Sequence, residues 1–393
     1  MKGLIPDSLV HREVASSLPR CGLCGLYKTC RSPKMPVYGR GGKGVLVVGE
    51  APGETEDEKG RPFIGKAGQY LRQALREIGV DLDRDAWTTN AVICRPPKNR
   101  TPDSRQISYC RSNLQAALEK YEPQVVVTLG KSALESVITP YWTGDLGGLE
   151  RWTGWTIPLG AWICPTYHPS YLLRMRNPLM DREFRTHLRR AFGKKAPPPQ
   201  KANPAEGVEL IWDESEIVKA IKAMDREGGI VVVDYETNTI KPDWPKATIH
   251  SCALSDGRRT ISFPWIGRAI AATGKLLASS QTRKIAHNLK FEERWTLATF
   301  GHGVRNWWWD TMIATHCLDN RPGICGLKFQ ALVRLGVPSY NTAIEPFLSA
   351  TSNGVYNRIH LADARQLLTY GGIDALLEYR LAMLQRRDFG YED

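Results

Sequence analysis

Two patterns of apolar spacing alternate along the first half of the chain. "GVLVVGE", "AWTTNAVIC", "PQVVVTLG" and "WICPTYHPS" are short, nearly unbroken apolar runs. Runs of that length, bounded by Gly, Pro and Asn, predict buried strands. Between them, "AGQYLRQALREIG" and "DSRQISYCRSNLQAALEKY" space their apolar residues three and four apart, as on one face of a helix. Strand and helix in alternation predict an α/β domain with a largely parallel sheet. A ligand site is then expected at the carboxyl ends of the strands.

The second half has a different rhythm. "GIVVVDYETN", "TIHSCALSD" and "RTISFPW" follow one another as adjacent strands of a meander. Helical segments come after them, among them "DARQLLTYGGIDALLEYRLAMLQRR". The halves are separated by "KKAPPPQKANPAEG", residues 194–207. Consecutive prolines neither continue a helix nor join a central strand, and they stiffen an extended segment. The pattern predicts two α/β domains, 1–195 and 209–393, joined by a Pro-rich linker over 196–208.

Charge sharpens this division. Residues 1–195 carry 30 Lys and Arg against 19 Asp and Glu, whereas the remainder carries 23 against 22. A basic half beside a near-neutral one points to a polyanionic partner, with a solvated basic surface as the plainer alternative. No apolar run reaches the roughly 18 residues of a membrane span, and "MKGLIPDSLVHREV" lacks the apolar core of a secretory signal. A cytoplasmic protein that avoids membranes is expected.

Three groups of residues offer chemistry. The first is "VVGEAPGETEDEKGRPFIGKAG", residues 47–68, where glycines would let a ligand approach the backbone closely. The second is Cys21, Cys24, Cys94 and Cys110. Cytosolic chains rarely use disulfides, so a metal is the better reading. Four thiolates suit zinc or an iron–sulfur cluster, and spacing does not choose between them. Cys30 is near enough to compete, and unligated buried thiols are the plain alternative. The third group is Asp234 and Glu236 on one face of a strand, Glu292 in "NLKFEERW", and Tyr370 and Asp374 four apart on a helix. Carboxylates drawn from three elements suit divalent cations and phosphoryl chemistry, although each motif alone is common.

In the first half, "GEAPGETEDEKGRPFIGKAG", "TTNAVICRPPKNRTP" and "YHPSYLLR", with the Cys pair ahead of them, closely resemble the family 4 uracil-DNA glycosylases. The resemblance covers residues 15–195 and implies a [4Fe–4S] cluster held by Cys21, Cys24, Cys94 and Cys110, with Cys30 an addition. It places Glu50 to favour a sugar cation or orient water, and His168 to donate to the departing uracil. Phe63 would stack on the flipped base, beside Ala51, and Asn90 would read the base edge. Leu172, Leu173 and Arg174 would form the wedge that fills the vacated stack and holds a phosphate. Glu54 and Glu58 read as solvated or helix N-terminal charges.

The second half resembles the DEDD-class 3′–5′ exonucleases of the Tyr subtype, the proofreading domain of bacterial DNA polymerase I being similar. The resemblance covers roughly 209–390 and implies an RNase H-like fold. It implies two Mg²⁺ or Mn²⁺ held by Asp234, Glu236, Glu292 and Asp374, with Tyr370 orienting water. Glu292 departs from the family's aspartate, so the second cation is expected to be weakened or displaced. Glu293 reads as a surface residue, and of Trp307, Trp308 and Trp309, which could stack on a single strand, one or two read as core.

Together these imply a DNA-processing enzyme acting on uracil-containing DNA and on frayed or single-stranded 3′ ends. The alternative is a uracil- or DNA-binding module that serves the nuclease without cutting. No polymerase motif follows, so a separate DNA polymerase chain is an expected partner. Such a fusion suits a phage or mobile replicon.

Overall fold

The computed structural model describes residues 19–200, 202–350 and 355–391. The outer ends of both sequence-assigned domains lie outside these residues. The chain forms two compact units, Met1–Gln200 with Leu332–Pro338, and Lys201–Ala331 with Ser339–Asp393.

The first unit is built on a five-stranded sheet of β1 (Val45–Gly49), β2 (Ala86–Asn90), β3 (Val125–Leu129), β4 (Ile157–Pro158) and β5 (Trp162–Thr166). The strand order is β2-β1-β3-β5-β4. All neighbours are parallel except β4, which runs against β5. Helices cover the sheet, so β1 and β3 are buried throughout and read as unbroken apolar runs. The expected helices form at Lys66–Arg76 and Ser104–Tyr121, the latter opened by an Asp103–Gln106 capping box. The core packs Val45, Val47, Leu71, Leu75, Val125 and Leu129 against Phe184 and Leu188 of the Pro178–Phe192 helix.

The second unit holds β6 (Glu209–Leu210), β7 (Ile230–Thr237), β8 (Ile249–Ser255), β9 (Thr260–Pro264), β10 (Arg283–Ala286) and β11 (Trp307–Asp310). Their order is β11-β10-β7-β8-β9-β6. β7, β8 and β9 form the antiparallel meander, and β10 and β11 add in parallel beside β7. The long Ala364–Asp388 helix packs on β7, β8 and β9. Its Gly371 and Gly372 allow this. A Cβ at Gly371 would stand 3.4 Å from Glu236 Cγ, and one at Gly372 only 2.2 Å from Val208 Cγ1. Among the described residues no helix is long and apolar enough to cross a membrane.

Candidate functional site

The parallel register of the first sheet ends its strands together. Gly49 pairs with Asn90 and Leu129 with Thr166, and these ends open onto a cavity of about 990 Å³. Glu50, Ala51, Phe63, Asn90, His168 and Arg174 all line it. A Cβ at Gly49 would lie 2.5 Å from Asn90 Oδ1 and 2.8 Å from Phe63 Cζ, so glycine is what lets both side chains in. Phe63 has φ near 54°, unusual for an aromatic residue. Arg72 Nε donates to its carbonyl at 3.0 Å. Gly68 packs where a Cβ would meet that carbonyl at 2.2 Å.

His168 caps the Pro169–Met175 helix, its Nδ1 accepting the Ser170 N–H at 3.2 Å. A nitrogen that accepts carries no proton, so the neutral ring presents its N–H at Nε2. Burial, reinforced by Arg174, lowers the His168 pKa to about 4. The imidazole is thus a neutral donor across the physiological range, suited to charge growing on an oxygen. Ser132 Oγ donates to Glu50 Oε2 at 2.9 Å and orients that carboxylate.

One expectation is corrected here. Leu172 is 2% exposed and belongs to the apolar core, so it is not available to enter a base stack. Its neighbour Leu173 is exposed on the next position of the helix, because successive helical residues face about 100° apart. The acidic run also divides. Glu56 accepts the Ile64 and Gly65 N–H groups at 3.0 and 2.7 Å, and Asp57 those of Arg31 and Ser32 at 3.1 and 2.8 Å. Both are buried loop anchors, whereas Glu54 is exposed and pairs with Arg95 at 3.0 Å.

Cys21, Cys24, Cys94 and Cys110 line one small cavity, and Cys30 lies against Cys94 beside it. Lys34 N donates to Cys94 Sγ at 3.2 Å, and Ile93 N and Asn113 Nδ2 to Cys110 Sγ at 3.5 Å. Burial pushes the Cys94 thiol up to about 12 and that of Cys110 to about 11. N–H groups aimed at sulfur work in the opposite direction and favour thiolate.

In the second unit, carboxylate oxygens of Asp234, Glu236 and Asp374 lie within 4.8 Å of one another. Strand β7 supplies the first two and the long helix the third. Lys328 Nζ and Tyr340 OH both donate to Asp374. Tyr370 is buried, with its ring 6.0 Å from that of Tyr340. Glu292 is 3% exposed and stands outside the tight group of three. Its Oε2 and Asp234 Oδ2 have no hydrogen-bond partner. Burial and then Asp374 push Asp234 up to about 7. Burial and then Asp234 lift both Glu236 and Glu292 well above the usual carboxylate range. Burial also works against the Lys328 ammonium, but the carboxylates of Asp374, Glu236 and Asp234 together outweigh it and the pKa ends above its ordinary value. Hard oxygen donors short of positive charge are the donor set that divalent cations fill.

Asp310 fixes the approach to Glu292. It accepts the N–H groups of Asn288, Leu289, Met312 and Ile313 at 2.9 to 3.1 Å. Glu293 is a second anchor rather than a surface residue, accepting from Val304 N and Trp307 Nε1, each at 2.9 Å. Trp307, Trp308 and Trp309 are all half-buried. Trp307 packs against one core cluster, and Trp308 and Trp309 against another. The sequence reading missed Lys328, Tyr340 and Ser132, none of which sits in a motif.

Residues 36–192 match the uracil DNA glycosylase superfamily, and residues 208–382 match the 3′-5′ exonuclease family. The type-4 uracil-DNA glycosylase of Pyrobaculum aerophilum is 36% identical over 181 residues, which cover 45% of this chain and 90% of that protein. A DNA polymerase of Bacillus phage SP01 is 26% identical over 330 residues, covering 74% of this chain and 34% of the polymerase. Among solved structures, Escherichia coli RNase D aligns with a TM-score of 0.36 at 16% identity, over 47% of this chain and 46% of its own.

Proposed function

Because the chain belongs to the type-4 uracil-DNA glycosylases over its first half and carries a 3′–5′ exonuclease domain in its second, we propose that it removes uracil from DNA at one site and shortens DNA from the 3′ end at the other. The observation that carries the first activity is one cavity lined by Glu50, Asn90, Phe63 and a neutral His168. A base flipped into it stacks on Phe63 and meets the amide of Asn90, whose donor and acceptor match the uracil edge and mismatch cytosine. As the N-glycosidic bond breaks, negative charge grows on the base and positive charge on the sugar. His168 Nε2–H donates to the first, while Glu50 favours the second or orients water. Leu173 and Arg174 take the strand-facing role, Leu173 filling the vacated stack.

At the second site Asp234, Glu236, Asp374 and Glu292 would hold two divalent cations. Those cations, when bound, supply Lewis-acid stabilisation of the attacking and leaving oxygens. Tyr370 orients water, and Lys328 and Tyr340 hold Asp374 in place. The basic first half provides the electrostatic hold on DNA. The phage DNA polymerase that aligns across 330 residues supports a replicative setting.

The four-thiol cavity would hold a [4Fe–4S] cluster, with N–H donors already aimed at two of its sulfurs. Protein purified without oxygen should be brown and carry about four irons per chain. Cys94→Ser should lose the colour and destabilise the first domain, whereas Cys30→Ser should keep both. One zinc and no iron would replace the cluster with a zinc site. The two activities separate in one assay of uracil-containing DNA, since uracil release should persist in EDTA and 3′ shortening should not. Uracil left in place under all conditions would favour a non-cutting reader.

A further inference from the structure

The nuclease centre has a fifth buried carboxylate that its motifs do not contain. Glu378 follows Asp374 by four positions on the Ala364–Asp388 helix, so both lie on one face a turn apart. It is 2% exposed among buried Ala375, Leu377, Leu381 and Ala382, at a position that would ordinarily take an apolar residue. Its Oε2 has no hydrogen-bond partner. Gln385 on the same helix shows the contrast. Its Nε2 donates to Thr311 O and Thr315 Oγ1 at 2.8 Å, and its Oε1 accepts from Trp309 Nε1 at 3.0 Å. The helix satisfies its buried amide and leaves its buried carboxylate unpaired.

Two other elements do the same. Glu292 Oε2 and Asp234 Oδ2 are also buried without a partner. Glu378 feels the charges of Asp234, Glu292 and Asp374, and Lys328 is the cation that opposes them. The Lys328 ammonium opposes the carboxylates of Asp234, Glu236, Asp374 and Glu378, and the group remains short of positive charge. A buried carboxylate that no protein group satisfies either stays protonated or takes a cation from outside the chain.

Building on the exonuclease reading, we propose that Glu378 is a ligand of the second divalent cation, sharing that position with Glu292 and Asp234. Glu236 and Asp374 complete the first position with Asp234. The longer arm of Glu292 is then matched by an added carboxylate on the Ala364–Asp388 helix. The second cation is retained.

Mn²⁺ uptake by the full-length protein, followed by electron paramagnetic resonance of the free ion, tests this without turnover. Wild type should bind two Mn²⁺, and Asp374→Asn identifies that uptake as belonging to this centre. Glu378→Gln should keep one and bind the other at least about tenfold more weakly. Glu378→Leu should raise the thermal midpoint of metal-free protein, because it removes an unpaired buried polar group, and should reduce the stabilisation that Mn²⁺ confers. A merely structural Glu378 would instead lower the midpoint in both states and leave Mn²⁺ affinity alone. Two Mn²⁺ bound with unchanged affinity by Glu378→Gln overturn the proposal and leave the exonuclease reading intact. Wild-type protein without Asp374-dependent Mn²⁺ uptake overturns both.

Discussion

Asp234→Ala is expected to abolish 3′–5′ shortening, by about a thousandfold or more, and to leave uracil release unchanged. Strand β7 carries this carboxylate into the group of three, and its Oδ2 is buried without a partner. The role proposed for it is to touch both cations. Losing a bridging ligand disables both halves of an in-line displacement, and several kcal/mol of transition-state stabilisation correspond to that loss in rate. The substitution removes a buried, poorly neutralised carboxylate, so metal-free protein should not lose stability. A lost rate with an unchanged thermal midpoint therefore reports chemistry, not unfolding. Shortening of a 5′-labelled strand in Mg²⁺, with base release measured on the same preparation, checks both parts. Nuclease activity within tenfold of wild type would remove Asp234 from the centre.

The second large effect concerns the first domain. His168→Ala should slow uracil release about a hundredfold, the order of losing one preorganised donor. Nuclease rate should not change. The acidity of this histidine adds a pH signature. Its pKa is about 4 in the fold, against an ordinary value near 6.5. As pH falls below about 6.5 the unfolded chain takes up a proton that the fold refuses. The stabilising contribution of neutral His168 is therefore complete above that pH and is lost progressively down through about 4. The rate of release in EDTA should accordingly hold between pH 8 and 5.5. A tenfold fall centred near 6.5 that disappears in His168→Ala would mean that the ring titrates normally and is not the buried neutral donor described.

Much of this was legible in the chain. β1 and β3 lie between layers of helices, so both faces must be apolar and the runs "VLVVG" and "VVVTL" stand out. β4, two residues long, is too short to show any period. Asp234 and Glu236 were readable because a strand repeats every two residues, and Tyr370 with Asp374 because a helix brings every fourth residue to one face. What stayed hidden depended on distant partners. Glu378 looks like an ordinary polar helix position until the sheet beneath it is known. Asp57 lies in the first turn of the Glu54–Lys59 helix, and nothing in its spacing shows that Ser32, 25 residues away, donates its N–H to it. Leu172 and Leu173 are chemically the same, and only packing against the core decides which one faces outward. Lys328 and Tyr340 reach Asp374 from segments with no recognisable spacing.

The central claim is that one chain carries two hydrolytic sites that work independently. A single substrate tests it most directly: a 5′-labelled single strand with one internal uracil, incubated with the purified full-length protein in EDTA and, separately, in Mg²⁺ or Mn²⁺. In EDTA the strand should keep its length and break at the uracil position only after alkali treatment, which marks an abasic site. With metal it should also shorten progressively from its 3′ end. A strand that resists alkali in EDTA and keeps its length with metal would contradict the account at both sites.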